Sequence, residues 1–186
     1  MFPRARFTLL ADTNQAIVSG VNTVDSKALA SIYNAKTMCL GKSYRSTQEI
    51  NTFAISLLPE DSRYEIFNRS GENVDNVSGN IDALGDLLNT EAEKRSTLAI
   101  ITKTAEEARN IHRELIKDFP GLRLCDNKSC ALSSAPVVMP LALTKGLEFD
   151  GVVIIDNNKN FTAKENEKYL YLASTRALHK LTIFEM

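Results

Sequence analysis

The sequence carries almost no net charge. Its 22 lysines and arginines are balanced by 23 aspartates and glutamates, which leaves a formal charge of −1 over 186 residues. Proteins that bind nucleic acid through bulk electrostatics carry a clear positive excess, so this balance argues against that class, although a local basic groove is compatible with it. Hydrophobic residues make up 44% of the chain, an ordinary globular value, and a chain of this length can bury a sizeable core.

Long apolar runs and secretion signals are also missing. No segment approaches the roughly 18 continuous apolar residues of a membrane-spanning helix, and the first residues, MFPRARFTLL, lack the apolar run of a signal peptide. The cysteine count is odd, with Cys39, Cys125 and Cys130. An odd count without a signal peptide is typical of reduced thiols. We therefore expect a cytoplasmic protein without membrane contact.

Metal ligands are scarce as well. Cys125 and Cys130 do not have a usual zinc spacing, and only His112 and His179 could join them. We expect no metal site in this chain.

Short apolar runs alternate along the chain with segments of helical spacing. The apolar runs, which are typical of buried strands, lie at 6–10, 37–40, 98–101, 122–125, 137–141, 151–155 and 181–184. The helical segments lie at 26–34, 46–58, 81–95, 104–119 and 164–179. Alternating strands and helices predict a parallel sheet covered by helices on both faces, which is an α/β fold.

Several local features follow from this pattern. Capping boxes at Ser46–Glu49 and Thr104–Glu107 predict the starts of two helices. The run at 37–40 predicts that Cys39 is a core residue. Ligands of parallel sheets bind beyond the carboxyl ends of strands, so the loops at 41–46 and 144–150 are candidate sites.

One stretch, Gly41-Lys42-Ser43, matches the end of a phosphate-binding loop. A complete loop needs another glycine five residues earlier, so that main-chain N–H groups surround the phosphates, and that position is Lys36. The chain therefore has no phosphate-binding loop. Arg45 is the more informative residue, because an arginine before a helix can bind two phosphate oxygens. The alternative is a surface arginine that pairs with Glu49 or another carboxylate.

Four segments occur in a fixed order. They read LADTNQAI at 10–17, SYRST at 43–47, TKGLEFD at 144–150 and YLASTRA at 171–177. This series resembles motifs III, IV, V and VI of superfamily 1 helicases of the UvrD/Rep/PcrA type, and TKGLEFD followed by GVVII is the most specific of them. The resemblance extends from about residue 5 to the end of the chain.

The resemblance implies a RecA-like fold, the fold of P-loop NTPases, here without the phosphate loop and the acidic Mg²⁺ motif. Members of the family bind ATP with Mg²⁺ and single-stranded DNA between two RecA-like domains. Residues 1–25 would be a remnant of the first domain that contains motif III, and residues 26–186 would be the second domain, called 2A. The parent would be an ATP-dependent DNA helicase, whereas this chain alone is expected to be inactive.

The motif positions imply catalytic roles for three residues. Gln15 would sense the γ-phosphate of ATP, and Arg45 and Arg176 would contact that phosphate as arginine fingers. Alanine at either arginine is expected to lower kcat and leave folding intact. The local alternatives are a loop amide for Gln15 and an ion pair with Glu165 or Glu167 for Arg176.

The same resemblance implies binding roles in the segment at 144–150. Glu148 would accept a hydrogen bond from the ribose, beside Gly146 in the ATP site, unless it merely caps a turn. Thr144 and Lys145 would approach the DNA backbone.

Two departures from the family pattern affect the expected partners. Residues 16–21 contain no aromatic side chain that could stack on DNA bases, and only residues 125–135 separate the strand at Leu122 from the next one, so the 2B insertion is absent. The chain is in this respect closer to the helicase IV/HelD branch. The expected partners are single-stranded DNA and the first RecA-like domain, and the alternative is a protein-docking module on RNA polymerase.

Overall fold

The computed structural model describes residues 7–10, 26–59, 65–126 and 134–186. Its contacts divide the chain into two compact units, 1–40 and 41–186. In the described part of the smaller unit, the predicted short helix is confirmed as α1 (Ser26–Tyr33). The predicted remnant of another domain at 1–25 stays a prediction, because 1–6 and 11–25 lie outside the described residues.

The apolar run at 37–40 is not a strand, and the prediction of a core cysteine there is wrong. These residues have no strand pairing, Cys39 is exposed, and Met38 and Leu40 are 81% and 79% exposed. An apolar run becomes a buried strand only when it pairs with another strand and is covered by a further layer, and this run has no strand pairing among the described residues.

A six-stranded sheet forms the centre of the larger unit, and every neighbouring pair in it is parallel. A separate parallel pair joins β1 (Lys42–Ser43) to β2 (Glu65–Ile66). The strands of the main sheet are β3 (Asp75–Ser78), β4 (Leu98–Thr102), β5 (Arg123–Leu124), β6 (Val137–Pro140), β7 (Phe149–Asp156) and β8 (Ala177–Glu185). Their order across the sheet is β3-β8-β7-β4-β6-β5, which confirms the predicted α/β fold class.

Helices cover both faces of this sheet. They are α2 (Gln48–Ser56), α3 (Ile81–Lys94), α4 (Ala105–Leu115) and α5 (Glu167–Ser174). Ile100 and Val153 belong to one buried cluster with Leu88 of α3 and Ile111 of α4. Side chains alternate along a strand, so Ile101 lies on the opposite face, and it is also fully buried. On that face α2 packs against β8, and α5 packs against both β7 and β8.

The two predicted capping boxes have different outcomes. At the start of α4, the side chain of Thr104 accepts a hydrogen bond from Glu107 N and the Glu107 carboxylate accepts one from Thr104 N, so this box is confirmed. The box at Ser46 is wrong, since the N-cap of α2 is Thr47. Ser46 Oγ donates instead to the carbonyl oxygen of Ala177 at 2.6 Å. A tertiary contact has replaced the local cap.

The end of the chain also differs from the sequence pattern. The segment predicted as one helix at 164–179 is a 3₁₀ turn (Lys164–Asn166), then α5, and then the start of β8. Ser174 and Thr175 donate their hydroxyls to carbonyl oxygens one turn back, and from Ala177 onward the chain pairs with β7. Strand pairing therefore ends the helix earlier than the apolar pattern alone predicts.

Candidate functional site

Three of the four motif segments meet at the amino ends of the neighbouring strands β7 and β8. Phe149 and Ala177 are the first residues of β7 and β8 and are paired with each other. Phe149 N donates to the carbonyl oxygen of Arg176 at 2.9 Å, and Ser46 Oγ donates to that of Ala177 at 2.6 Å. Segments that are far apart in sequence are thus joined through their main chains. Of the fourth segment only Leu10 is described, and Gln15 lies outside the described residues.

The position of this meeting point differs from the expected one. The segment at 144–150 follows β6 and the 3₁₀ turn Leu141–Leu143, but it ends where β7 begins. Because all strands are parallel, Glu148 and Arg176 lie at the amino edge of the sheet, and Arg45 joins Glu148 there. The connection from β6 to β7 contains no long helix, so the loop itself returns the chain to the opposite edge.

Arg45 and Glu148 form an ion pair on the protein surface. Nε of Arg45 lies 2.9 Å from Oε1 of Glu148, and the two side chains are 46% and 38% exposed. An exposed ion pair contributes little to stability because water competes for both charges. Either partner can therefore exchange the other for a ligand of suitable charge.

The sequence interpretation missed an aromatic pair beside Arg45. The ring centroids of Tyr44 and Phe67 lie 5.2 Å apart, and Lys42 Nζ lies 5.6 Å from the centroid of Tyr44. Both rings are exposed, at 62% and 42%. Exposed aromatic faces near cations suit the stacking of a nucleobase. Tyr44 lies within SYRST and could have been noticed, whereas Phe67 is brought close by the pairing of β1 with β2, for which the sequence has no signal.

Arg176 is buried and does not extend into solvent. It is 1% exposed, and its Nε donates to the carbonyl oxygen of Leu172 at 3.2 Å. Its terminal nitrogens contact Thr175 Oγ1 at 3.1 Å and the carbonyl oxygens of Leu147 and Thr144 at 3.4 and 3.5 Å. In this conformation the guanidinium stabilises the 144–148 segment through its contacts with these two carbonyl oxygens. The predicted contact of Arg176 with phosphate stays a prediction. It would require the guanidinium to leave these protein oxygens and bind phosphate oxygens instead.

The predicted DNA-facing residues have different environments. Thr144 is fully buried, and its Oγ1 donates to the carbonyl oxygen of Leu141 at 2.8 Å. Lys145 and Gly146 are exposed, and Gly146 has a φ of +83°, a conformation that a residue with a Cβ adopts only with strain. The turn places Lys145 on the surface, whereas the Thr144 hydroxyl is already engaged. Their predicted contact with DNA stays a prediction.

An ion network with buried cations and two half-exposed carboxylates lies at the same edge of the sheet. Arg95 donates Nε to a carboxylate oxygen of Glu91 at 2.8 Å and also binds Glu72, while Lys180 binds Asp75 at 2.7 Å. The hydrogen bond from Arg95 lowers the pKa of the Glu72 carboxyl. Burial by itself would lower the pKa of Arg95, but its bonds to the two glutamates outweigh that effect and raise it. This network fixes the chain before β3 onto α3 and β8.

The opposite, carboxyl edge has a cleft of about 320 Å³ between the ends of β3, β7 and β8. Asp156, Lys159 and Glu185 contribute charged side chains to it, and Asp156 already accepts hydrogen bonds from the loop at 161–162. None of the predicted site residues lines this cleft.

Within the described parts of the chain, no group of three or more His, Cys, Asp or Glu side chains could hold a metal ion. No helix in those parts is long and apolar enough to cross a membrane.

Comparison with solved structures provides an informative relative. No protein-family model and no curated protein matches the chain. The crystal structure of the C-terminal domain of a possible DNA helicase from Lactobacillus plantarum WCFS1 is 30% identical, with a TM-score of 0.63, and the match covers 77% of this chain and 88% of that domain. The methylated PRRSV nsp10 helicase matches 61% of this chain and 25% of its own at 15% identity, and its TM-score of 0.36 is too low to support a conclusion. The chain therefore belongs to the same family as the C-terminal domain of that possible DNA helicase.

Proposed function

We propose that this chain is the second RecA-like domain of an ATP-dependent DNA helicase or translocase of superfamily 1. The observation that carries the proposal is the surface ion pair of Arg45 and Glu148, at 2.9 Å, where three motif segments meet. The family relationship to a helicase C-terminal domain supports it. ATP with Mg²⁺ would be bound mainly by a first RecA-like domain, and the cleft between the two domains would be the active site.

The residues at this place fit the parts of ATP. A guanidinium suits the γ-phosphate, because it is planar, always charged and can donate two parallel hydrogen bonds to phosphate oxygens. The Glu148 carboxylate suits the ribose hydroxyls, and the exposed ring of Tyr44 suits the base. Gly146 would allow the main chain to approach the nucleotide closely, since it has no Cβ.

The ion pair suggests how this chain would respond to the nucleotide. Arg45 would leave Glu148 for a γ-phosphate oxygen, where its charge stabilises the negative charge of the transition state. Glu148 would then be free to accept a hydrogen bond from the ribose. Both groups would therefore be held in place by each other before the nucleotide arrives.

Arg176 would connect the phosphate to the DNA-facing turn. Its guanidinium contacts the carbonyl oxygens of Thr144 and Leu147, which flank Lys145 and Gly146. A shift of Arg176 toward phosphate would release those oxygens and move the turn that presents Lys145. In this proposal, phosphate binding and DNA contact are coupled through one buried side chain, with Gln15 contributing from the first domain's side.

The finer assignment to the UvrD or helicase IV/HelD branch belongs to the same proposal and rests on the motif series and the missing 2B insertion. No feature of the described surface favours the alternative of a docking module on RNA polymerase, and we do not propose that role.

The test compares variants of a full-length parent that carries a phosphate loop. Arg45→Ala should lower the kcat of DNA-stimulated ATP hydrolysis by about 10³–10⁵, the usual value of an arginine finger. Glu148→Gln keeps an acceptor oxygen for the ribose and should change KM more than kcat. Arg109→Ala is the matched control, since Arg109 forms an exposed ion pair with Asp126 away from the motif segments. Unchanged kcat in Arg45→Ala, or DNA-stimulated hydrolysis by the 186-residue chain alone, would refute the proposal.

A further inference from the structure

Four side chains share one face of the strand pair β1–β2. The register of the pair places Lys42 opposite Glu65. Two residues further along both segments, the same register brings Tyr44 opposite Phe67. Side chains two positions apart in a strand point to the same side, so these four form one face. The contacts agree with this arrangement, because Lys42 Nζ lies 3.6 Å from Oε2 of Glu65 and 5.6 Å from the ring centroid of Tyr44.

The opposite face of the pair carries Ser43 and Ile66, which are half-buried. Just beyond the strand ends, Phe67 N still donates to the carbonyl oxygen of Ser43 at 3.4 Å, and within the pair Glu65 N donates to that of Gly41 at 2.6 Å. Main-chain hydrogen bonds therefore set the position of Phe67 relative to residue 44, whereas the two rings stay exposed to solvent.

Phe67 contacts the ring of Tyr44 directly. The ring centroids lie 5.2 Å apart and the ring planes meet at 42°, which is within the range of favourable aromatic pairs. A tyrosine that is 62% exposed would otherwise occupy several χ1 rotamers. We propose that Phe67 is a positioning residue that holds the Tyr44 ring in place for the base of the nucleotide whose phosphate Arg45 contacts. This inference rests on the proposed function and extends it to a residue outside the four motif segments.

The surroundings of the ring favour the base of a bound nucleotide over a base of single-stranded DNA, although both have the same ring chemistry. Tyr44 directly precedes Arg45, so the ring and the guanidinium can contact two parts of one nucleotide. The nearby cation, Lys42, is paired with Glu65, so this face has little excess positive charge. A DNA backbone requires such an excess, whereas a neutral base does not.

A ring that is already in its binding rotamer affects affinity and leaves the chemical step unchanged. Without Phe67, the Tyr44 side chain would distribute over three staggered rotamers, and the fraction that can bind the base would fall to about one third. The apparent affinity for the nucleotide falls by the same fraction, so KM should rise about threefold. The kcat should stay the same, because Phe67 lies on the base side of Arg45 and does not contact phosphate.

The first test measures the rotamer in the 186-residue chain without nucleotide. Three-bond couplings between Hα and Hβ of Tyr44, measured by NMR, report its χ1 populations. We expect a single dominant rotamer in the unaltered chain, averaged couplings in Phe67→Leu, and the single rotamer again in Phe67→Tyr, which keeps the ring. Phe67 is 42% exposed, so Phe67→Leu should fold, and its urea midpoint checks this.

The second test measures ATP hydrolysis in a full-length parent that carries a phosphate loop. Phe67→Leu should raise the KM for ATP about threefold at saturating single-stranded DNA, with kcat unchanged, and Phe67→Tyr should restore KM. The concentration of a short oligothymidylate that gives half-maximal stimulation, measured at saturating ATP, should not change. A loss of folding would instead lower kcat, and Phe67→Tyr separates the ring from mere side-chain volume.

Averaged couplings of Tyr44 in the unaltered chain would overturn the proposal whether or not Phe67→Leu folds. An unchanged KM in Phe67→Leu would also overturn it. A rise in the oligothymidylate concentration in place of a rise in KM would overturn the assignment to the nucleotide. The rotamer measurement requires no ATP, so failure of the proposed function would be detected separately, as an unchanged kcat in Arg45→Ala.

Discussion

The two predicted arginine fingers should differ strongly in what their removal does to folding. Arg176 is 1% exposed, and its contacts include two of ordinary hydrogen-bond length, at 3.1 and 3.2 Å, and two longer ones at 3.4 and 3.5 Å. Alanine would leave these oxygens buried without their donor, and charged hydrogen bonds contribute about 1.5–3 kcal/mol each. We expect Arg176→Ala to lower the free energy of unfolding by about 3–5 kcal/mol, out of a total of about 5–15.

Arg45 provides the comparison. Its side chain is 46% exposed and its partner Glu148 is 38% exposed, so the pair should contribute no more than about 1 kcal/mol. Urea unfolding of the chain followed by circular dichroism measures both variants. With a slope of about 2 kcal/mol per molar urea, the midpoint should fall by about 1.5–2.5 M for Arg176→Ala and by less than about 0.5 M for Arg45→Ala.

Arg176→Met serves as a control, because it keeps the apolar stem and removes only the guanidinium. It should show most of the fall in the free energy of unfolding that we expect for Arg176→Ala. Midpoints that fall equally in the two alanine variants, or a loss under about 1 kcal/mol for Arg176→Ala, would refute this interpretation of the buried guanidinium. We therefore expect the sequence-based prediction that alanine at either position leaves folding intact to hold only for Arg45, which makes Arg45 the cleaner position for testing catalysis.

Three further changes have defined outcomes. Gly71→Ala should destabilise the chain by about 1–3 kcal/mol in urea unfolding, because its Cβ would lie 2.3 Å from the Thr47 side chain. Gly85→Ala should raise the thermal midpoint, by the equivalent of about 0.5–1 kcal/mol, because this helical glycine has no heavy atom closer than 3.8 Å to the added Cβ. Arg95 lowers the pKa of Glu72 below 4.5, so this carboxylate contributes stability that is present above pH 4.5 and lost as the pH falls through the lowered value. Glu72→Gln should reduce that acid loss by less than about 1 kcal/mol, since Glu72 is half exposed, and urea midpoints measured across the acid range would show it.

The central strands and one helix start could be predicted because their signals are local. Apolar runs at 98–101 and 151–155 are typical of strands buried on both faces, and they lie in β4 and β7. The capping box at Thr104 depends only on residues within four positions of each other, and it forms. By contrast, the apolar run at 37–40 has no pairing strand among the described residues, and Ser46 binds the main chain of residue 177 instead of capping its helix. In both cases the outcome depended on a segment far away in the sequence. The run at 37–40 has no partner strand among the described residues, whereas Ser46 has found a partner at residue 177.

The candidate site could likewise be predicted only in part from the sequence. The motif series singled out Arg45 and Glu148, and the structure brings them to 2.9 Å. Phe67 was missed, since its ring contact with Tyr44 joins residues 23 positions apart and no sequence pattern marks it.

By itself, the sequence determined the alternation of strands and helices, the absence of a phosphate-binding loop and the identity of the charged residues in the motifs. These follow from side-chain periodicity and from short motifs, which act over a few residues. Only the tertiary structure decided that the candidate site lies at the amino edge of the sheet, and that Arg45 is exposed while Arg176 is buried. The edge at which residues lie and their burial depend on which strands pair and which loops cover them, and those are interactions between residues far apart in the chain.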